Sequence, residues 1–149
     1  MKKAKLEAAT VGGSADDTDA AFYQALALGD IERLMDCWAD EDEIVCVHPG
    51  GKRLVGTGEI RASFEALFAA GTIKATPLAV RRVQALAFSL HHLIERLEVQ
   101  SEAGPRHGYV IATNVYLKTA QGWRMVAHHA SPGTIDEARL AEAPPQTLH

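Results

Sequence analysis

From residue 73 onward the chain abandons helical spacing. Four long runs, 73–85, 87–100, 107–119 and 122–131, follow one another across short polar or glycine turns. A side-chain period of two over runs of this length puts successive residues on opposite faces. The second half of the chain must therefore build an antiparallel sheet with one covered face. The last two runs flank Thr119-Ala120-Gln121-Gly122 and predict a long hairpin. Within it, Asn114, Tyr116 and His128 interrupt stretches that otherwise read as buried. A buried polar group needs a partner, and a cavity holding water or a ligand is one place to find it.

The first half supplies what covers the sheet. Asp16-Asp17-Thr18-Asp19 reads as an N-cap cluster opening a helix with Ala21, Phe22, Ala25, Leu26 and Leu28, closed by Gly29. Asp30 caps a second helix over 31–39, with Leu34, Met35 and Trp38 on one stripe. A short strand, 44–48, stops at Pro49-Gly50-Gly51, and 53–55 is its return strand. A third helix over 57–70 carries Ile60, Phe64, Leu67 and Phe68 on one face. Helices first and an antiparallel sheet afterwards give an α+β class. Residues 1–15 read as a flexible leader, 16–132 as one domain and 133–149, with Pro144-Pro145, as a flexible tail.

Length and composition fit that reading. The 149 residues, 47% hydrophobic and 23% charged, suffice for one core. A net charge of −4 argues against a nucleic-acid-binding face. No apolar run approaches the roughly 18 residues of a membrane span, and the lysine-led start lacks the apolar segment of a secretory signal. Cys37 and Cys46 stand in no metal or redox spacing and read as reduced core residues, which predicts a cytoplasmic protein.

Alternation sorts the candidate site residues. On the third long run Val110, Ala112, Asn114 and Tyr116 share a face. On the fourth, Arg124, Val126, His128 and Ala130 do, opposite Trp123, Met125, Ala127 and His129. On the second, His91, Leu93, Glu95, Leu97 and Val99 share a face. The pairs His91-His92 and His128-His129 are thus split across the sheet, and neither can chelate one ion. A metal would need His48, His128 and Glu95 to converge, and none is expected. A β-bulge would exchange faces beyond it and leaves His129 as a rival to His128.

The order of elements and several short motifs resemble the nuclear transport factor 2-like superfamily. It includes SnoaL-like polyketide cyclases, ketosteroid isomerase and the association domain of calcium/calmodulin-dependent kinase. The motifs are Leu28-Gly29-Asp30, Trp38-Ala39-Asp40, Val47-His48-Pro49, Val55-Gly56 and the closing 122–132 strand with His128-His129-Ala130-Ser131-Pro132. That strand is similar to one in bacterial SnoaL-like proteins. The resemblance implies a cone-like curved sheet wrapped around three helices, a central apolar pocket, and a homodimer formed through the convex sheet face. It also implies that the faces of Asn114, His128 and Glu95 are concave.

The resemblance further implies roles. His48 matches the position of the proton-moving aspartate of ketosteroid isomerase-like members, and an imidazole is a competent base near neutral pH. Asn114 matches the position of a protonated aspartate that donates to the oxyanion; that enzyme is a standard example of such tuning. An amide can donate there unaided. The matching position of a third donor, a tyrosine on the first helix, is Phe22, while Tyr23 should point about 100° away. The cavity arginines of the kinase association domain correspond to Asn114 and Ala130. The expectation is a cofactor-free protein that binds a small apolar carbonyl compound and moves a proton on it, with His48, Asn114 and His128 as chemical groups. Trp38, Phe64, Phe68, Glu95, Tyr116 and Val126 would line the pocket. The alternative is a non-enzymatic ligand-sensing or oligomerisation module.

Overall fold

A computed structural model describes residues 11–71, 73–134, 136, 138 and 139. Most of the expected leader and tail lies outside the described residues. Helix α1, Ala15–Leu28, is capped by Ser14, whose hydroxyl accepts from the Asp17 N–H at 3.0 Å. The Asp16 and Asp17 carboxylates sit in its first turn, where the helix dipole favours them. The cap is thus Ser14 and not the aspartate cluster. Gly29, at φ 67°, ends the helix in the left-handed conformation that glycine adopts cheaply. Asp30 caps α2, Ile31–Asp36, by accepting from the Arg33 N–H.

Helix α2 is shorter than the expected 31–39. The chain after it pairs with the sheet instead: the Met125 N–H donates to the Cys37 carbonyl, and the Ala39 N–H donates to the Met125 carbonyl. Strands β1, Val45–Val47, and β2, Arg53–Val55, form the short hairpin, and α3, Thr57–Ala70, follows. The four long strands are β3, Ile73–Gln84, β4, Phe88–Ser101, β5, Gly104–Thr119, and β6, Gly122–Pro132. The expected break at 101–105 narrows to Glu102-Ala103, because Ser101 already pairs with Gly104.

One six-stranded mixed sheet results, in the order β2-β1-β6-β5-β4-β3. Only β1 and β6 run parallel; the other neighbours are antiparallel. The sheet curls around the helices, giving the expected α+β cone. Its covered face follows the alternation closely on β5, where Val110, Ala112, Asn114 and Tyr116 are buried. On β4, Ser89, His91, Leu93 and Glu95 are buried while His92 is exposed.

β6 departs from the alternation. Its register with β5 shifts between Val115 and Tyr116, so Val115 faces Ala127 and Tyr116 faces Met125, leaving Val126 as the extra residue of a bulge. Before the bulge, Trp123 and Met125 are the buried residues; after it, His128 and Ala130 are. The assignment of His128 and Ala130 to the covered face stands, with His129 exposed. The assignment of Arg124 and Val126 to that face does not, because the inserted residue reverses the phase.

The start of β6 is also where residues 11–14 are held. The Trp123 N–H donates to the Gly12 carbonyl at 3.0 Å, and the Gly12 N–H donates to the Thr18 hydroxyl, itself bonded to the Trp123 carbonyl. Gly122 has φ 103°, and a Cβ there would lie 2.6 Å from the Gly12 carbonyl oxygen. Strain and overlap act together, so Gly122→Ala should cost about 2–4 kcal/mol in chemical denaturation. A loss under about 0.5 kcal/mol would show that this contact is not rigid.

Candidate functional site

Between α1, α3 and the concave face lies an apolar cavity of about 240 Å³. Phe22 and Leu26 of α1, Phe64 and Leu67 of α3, and Ile73, Leu97 and Ala130 of the sheet form its walls. Three titratable side chains reach it from different strands: His48 just after β1, Glu95 on β4 and His128 on β6. The β1–β6 pairing sets Cys46 opposite His128, which brings the two imidazoles to the same end of the sheet. Phe64 anchors the wall, its ring meeting His48 edge-on at 4.9 Å and Phe22 at 6.0 Å.

Glu95 is buried among apolar groups, and desolvation pushes its carboxyl up to about 7, although the Tyr23 hydrogen bond pulls the other way. The Tyr23 hydroxyl donates to Glu95 Oε2 at 2.6 Å. Burial likewise holds His128 neutral, with its pKa down at about 3, reinforced by the neighbouring His48. Burial also lowers His48. The cavity therefore presents two neutral imidazoles and a carboxyl group poised near neutrality.

Hydrogen-bond directions follow from what each partner can give. The Ser63 hydroxyl has one proton and donates it to the Ile60 carbonyl at 2.7 Å, so in its 3.0 Å contact with His48 Nε2 it accepts. His48 is then the Nε2–H tautomer, with its lone pair on Nδ1. His128 Nδ1 lies 2.6 Å from Asn114 Oδ1, an acceptor, so Nδ1 carries the proton and Nε2 the lone pair.

Asn114 stands one layer behind the cavity. It is fully buried and absent from the lining, its Nδ2 donating to the Tyr23 oxygen at 3.0 Å and to Asp19 Oδ1 at 3.4 Å. The expected meeting of His48 and Asn114 across one cavity is replaced by a meeting of His48, Glu95 and His128. Asn114's donors are already engaged by groups of α1.

Other expected lining residues stand elsewhere. Tyr116 gives its hydroxyl proton to Asp19 and packs its ring on His91, away from the cavity. Trp38, past the end of α2, lines a separate open hollow of about 630 Å³ with Asp36, Asp40, Glu41 and Arg124. Val126 sits at the bulge. Phe68 touches Phe64 from behind, at 6.3 Å between rings, and is not itself in the lining. Phe64 and Glu95 line the cavity.

Tyr23 is the residue that alternation and helical spacing missed. It does lie about 100° around α1 from Phe22, but the curled sheet covers both. Phe22 meets Phe64 and His128 while Tyr23 meets Glu95 and Asn114. A usable signal was present: Asp19 and Tyr23 are one turn apart on one helix face, a polar stripe beside an apolar one. Among the described residues, no group of three or more His, Cys, Asp or Glu is placed to hold a metal ion, and no helix is long and apolar enough to cross a membrane.

This constellation, a curled mixed sheet closing an apolar cavity over three helices, defines a class of cone-shaped domains. The SnoaL-like domain family model matches residues 16–135, and the chain belongs to that family. One similar solved structure is a Thiobacillus denitrificans protein provisionally named a calcium/calmodulin-dependent protein kinase type II association domain. It is 33% identical, with 84% of this chain and 99% of that one covered and a TM-score of 0.76. Another is a Streptomyces avermitilis protein provisionally named a dehydratase of the NTF2-like family, 29% identical over 78% of this chain and 91% of that one, TM-score 0.71. An NTF2-like protein of unknown function from Pseudomonas putida is 20% identical over 87% and 93%, TM-score 0.69, and shares the fold. No curated protein matches the chain.

Proposed function

We propose that the cavity binds a small apolar carbonyl compound and transfers a proton on it without a cofactor. The observation that carries this reading is the convergence of His48, Glu95 and His128 on one apolar cavity, with the Glu95 carboxyl raised to about 7. A group with a pKa near the working pH is the most useful acid or base there. The His48 lone pair takes the proton from the carbon next to the carbonyl. Glu95, in its acid form, donates to the carbonyl oxygen as negative charge moves there. The imidazolium then returns the proton to the same or a conjugated carbon while the Glu95 carboxylate takes back the enol O–H proton, so the carbonyl and both side chains are restored. His128 offers a second acceptor, and Asn114 acts through it. A volume of about 240 Å³ is below that of pockets for drug-sized ligands, which favours single-ring substrates. Among the described residues no lysine or arginine lines the cavity, so a ligand carboxylate would lack a counter-charge from them.

The test is deuterium incorporation next to the carbonyl of a panel of monocyclic ketones and enones in D₂O, followed by NMR. The intact protein should accelerate exchange for at least one compound, and His48→Ala and Glu95→Leu should each reduce that acceleration by about 10²-fold or more. Exchange that survives in both folded variants would overturn the assignment.

A second reading, an oligomerisation module, is favoured by the 33% identical relative that bears an association-domain name. The face of β5 opposite the cavity carries Ile111, Val115 and the 40%-exposed Leu117. Two copies could pair there as a homodimer. Light scattering should then give twice the mass of the chain, and Leu117→Arg should halve it; a monomer at 100 µM would exclude this pairing. A cytoplasmic setting belongs to the same proposal, in keeping with Cys37 and Cys46 as buried free thiols.

A further inference from the structure

We propose that Asp19, which lies outside the cavity, is a positioning residue that fixes the tautomer of His128 by anchoring the Asn114 amide. The inference rests on the proton-transfer reading for its purpose but not for its test. An Asn side chain has a donor end and an acceptor end, and only its partners decide which end faces which way. A carboxylate accepts and never donates. Asp19 Oδ1 receives the Tyr116 hydroxyl and the Asn114 Nδ2 amide, and it lies 3.3 Å from His91 Nδ1. Turning the amide over would set Asn114 Oδ1 against the Asp19 oxygen, acceptor against acceptor.

With Nδ2 held toward Asp19, Oδ1 must face His128, and a carbonyl oxygen admits only a protonated Nδ1 there. The consequence continues in the other direction. The same Nδ2 donates to the Tyr23 oxygen, which frees the phenol proton for Glu95 Oε2. One acceptor-only group on α1, one turn from Tyr23, thereby orders the chain His128→Asn114→Tyr23→Glu95 in a single direction. The lone pair of His128 is left on Nε2, the ring nitrogen not engaged by Asn114. Tyr23 alone could not impose this order, since a hydroxyl can donate or accept.

The experiment uses the full chain labelled with ¹⁵N-histidine and without ligand. Long-range ¹H–¹⁵N correlation reads the tautomer, and the His128 signals are assigned by their loss in His128→Gln. Wild type should show Nδ1–H alone; an Nε2–H form as the major species would overturn the proposal directly. Removing a hydrogen bond to a charged acceptor should change the tautomer ratio by about tenfold or more, so Asp19→Leu should give a clear Nε2–H population. Asp19→Asn keeps the shape and can meet Asn114 with either end, and it should give the same change in smaller measure. Tyr116→Phe removes the other donor to Asp19 and should leave the tautomer as it is. A single Nδ1–H form in the folded Asp19 variants, or an equal shift in Tyr116→Phe, would show that packing and not Asp19 sets the proton. Because no substrate is involved, a failed exchange assay alongside a passed tautomer test would count against the cavity's chemistry and leave Asp19's role intact.

Discussion

Acidification from pH 8 to 3 should produce a plateau of stability followed by a steep loss. Two buried groups act in opposite senses. His128 has an ordinary pKa of 6.5 when unfolded and about 3 when folded. Between those values the unfolded chain binds the proton and the native one does not, so this contribution is present above pH 6.5 and is lost as the pH falls. Glu95 has an ordinary value of 4.5 and a folded value of about 7. Between them the native state binds the extra proton, so this contribution is full below pH 4.5 and is lost as the pH rises through 7. At about 1.4 kcal/mol per unit, the histidine removes on the order of 4 kcal/mol and the carboxyl returns on the order of 3. From 6.5 to 4.5 the two slopes nearly cancel, and His48, also lowered by burial, contributes in the same sense as His128. Below 4.5 the Glu95 gain is complete and the His128 loss runs unopposed. Urea midpoints across this range test the shape. Glu95→Gln should abolish the plateau, so that stability declines from pH 6.5 downward. A profile identical to wild type would refute the opposing-group account.

The second large effect is mechanical. Phe64→Ala should lower stability by about 3–5 kcal/mol, or roughly 10–15 °C in melting temperature. Phe64 is 2% exposed and its ring touches Phe22, His48 and Phe68. Its removal joins new empty volume to a cavity that already exists, so little collapse can refill it. Calorimetry measures the loss; a change under about 1 kcal/mol would mean that α3 moves in to close the gap. The same substitution should also admit larger ring compounds in a thermal-shift screen, because the wall it removes limits the size of the cavity.

Much of this architecture could be read from residue order. The four long strands announce themselves by two-residue alternation, and α3 by the spacing of Ile60, Phe64 and Phe68. The same rule groups the residues that share a face on β4 and β5, whereas the placing of Glu95 and Asn114 on the covered side came from the family resemblance; both are buried there. The phase change in β6 is not legible, because an inserted residue such as Val126 looks like any other strand residue. Trp38 shows another limit. Its spacing from Leu34 and Met35 suits a helix, but the backbone bonds between Met125 and residues 37 and 39 end α2 first. Asn114 shows a third: alternation gives the direction in which a side chain leaves the strand, but not what stands between it and the cavity. That depends on α1, whose Tyr23 and Asp19 take up the amide. Tyr23 is not legible from helical spacing, because a helix under a flat layer buries one face whereas the curled sheet covers a wider arc of α1.

The parallel pairing of β1 with β6 has a consequence for how the protein is made. His48 follows β1 and His128 belongs to β6, so the two are separated by about half of the chain but are brought together through one ladder. Local hairpins among β3, β4 and β5 need only short loops to close, whereas the β1–β6 contact spans about half of the sequence and carries a larger entropic penalty. During synthesis at roughly 5–20 residues per second, β1 waits several seconds for its partner. Until β6 leaves the ribosome, Phe22, Phe64 and the first histidine face an incomplete wall. The cavity is therefore closed only once β6 has emerged, and a nascent chain cut short before residue 122 should present its aromatic lining to chaperones.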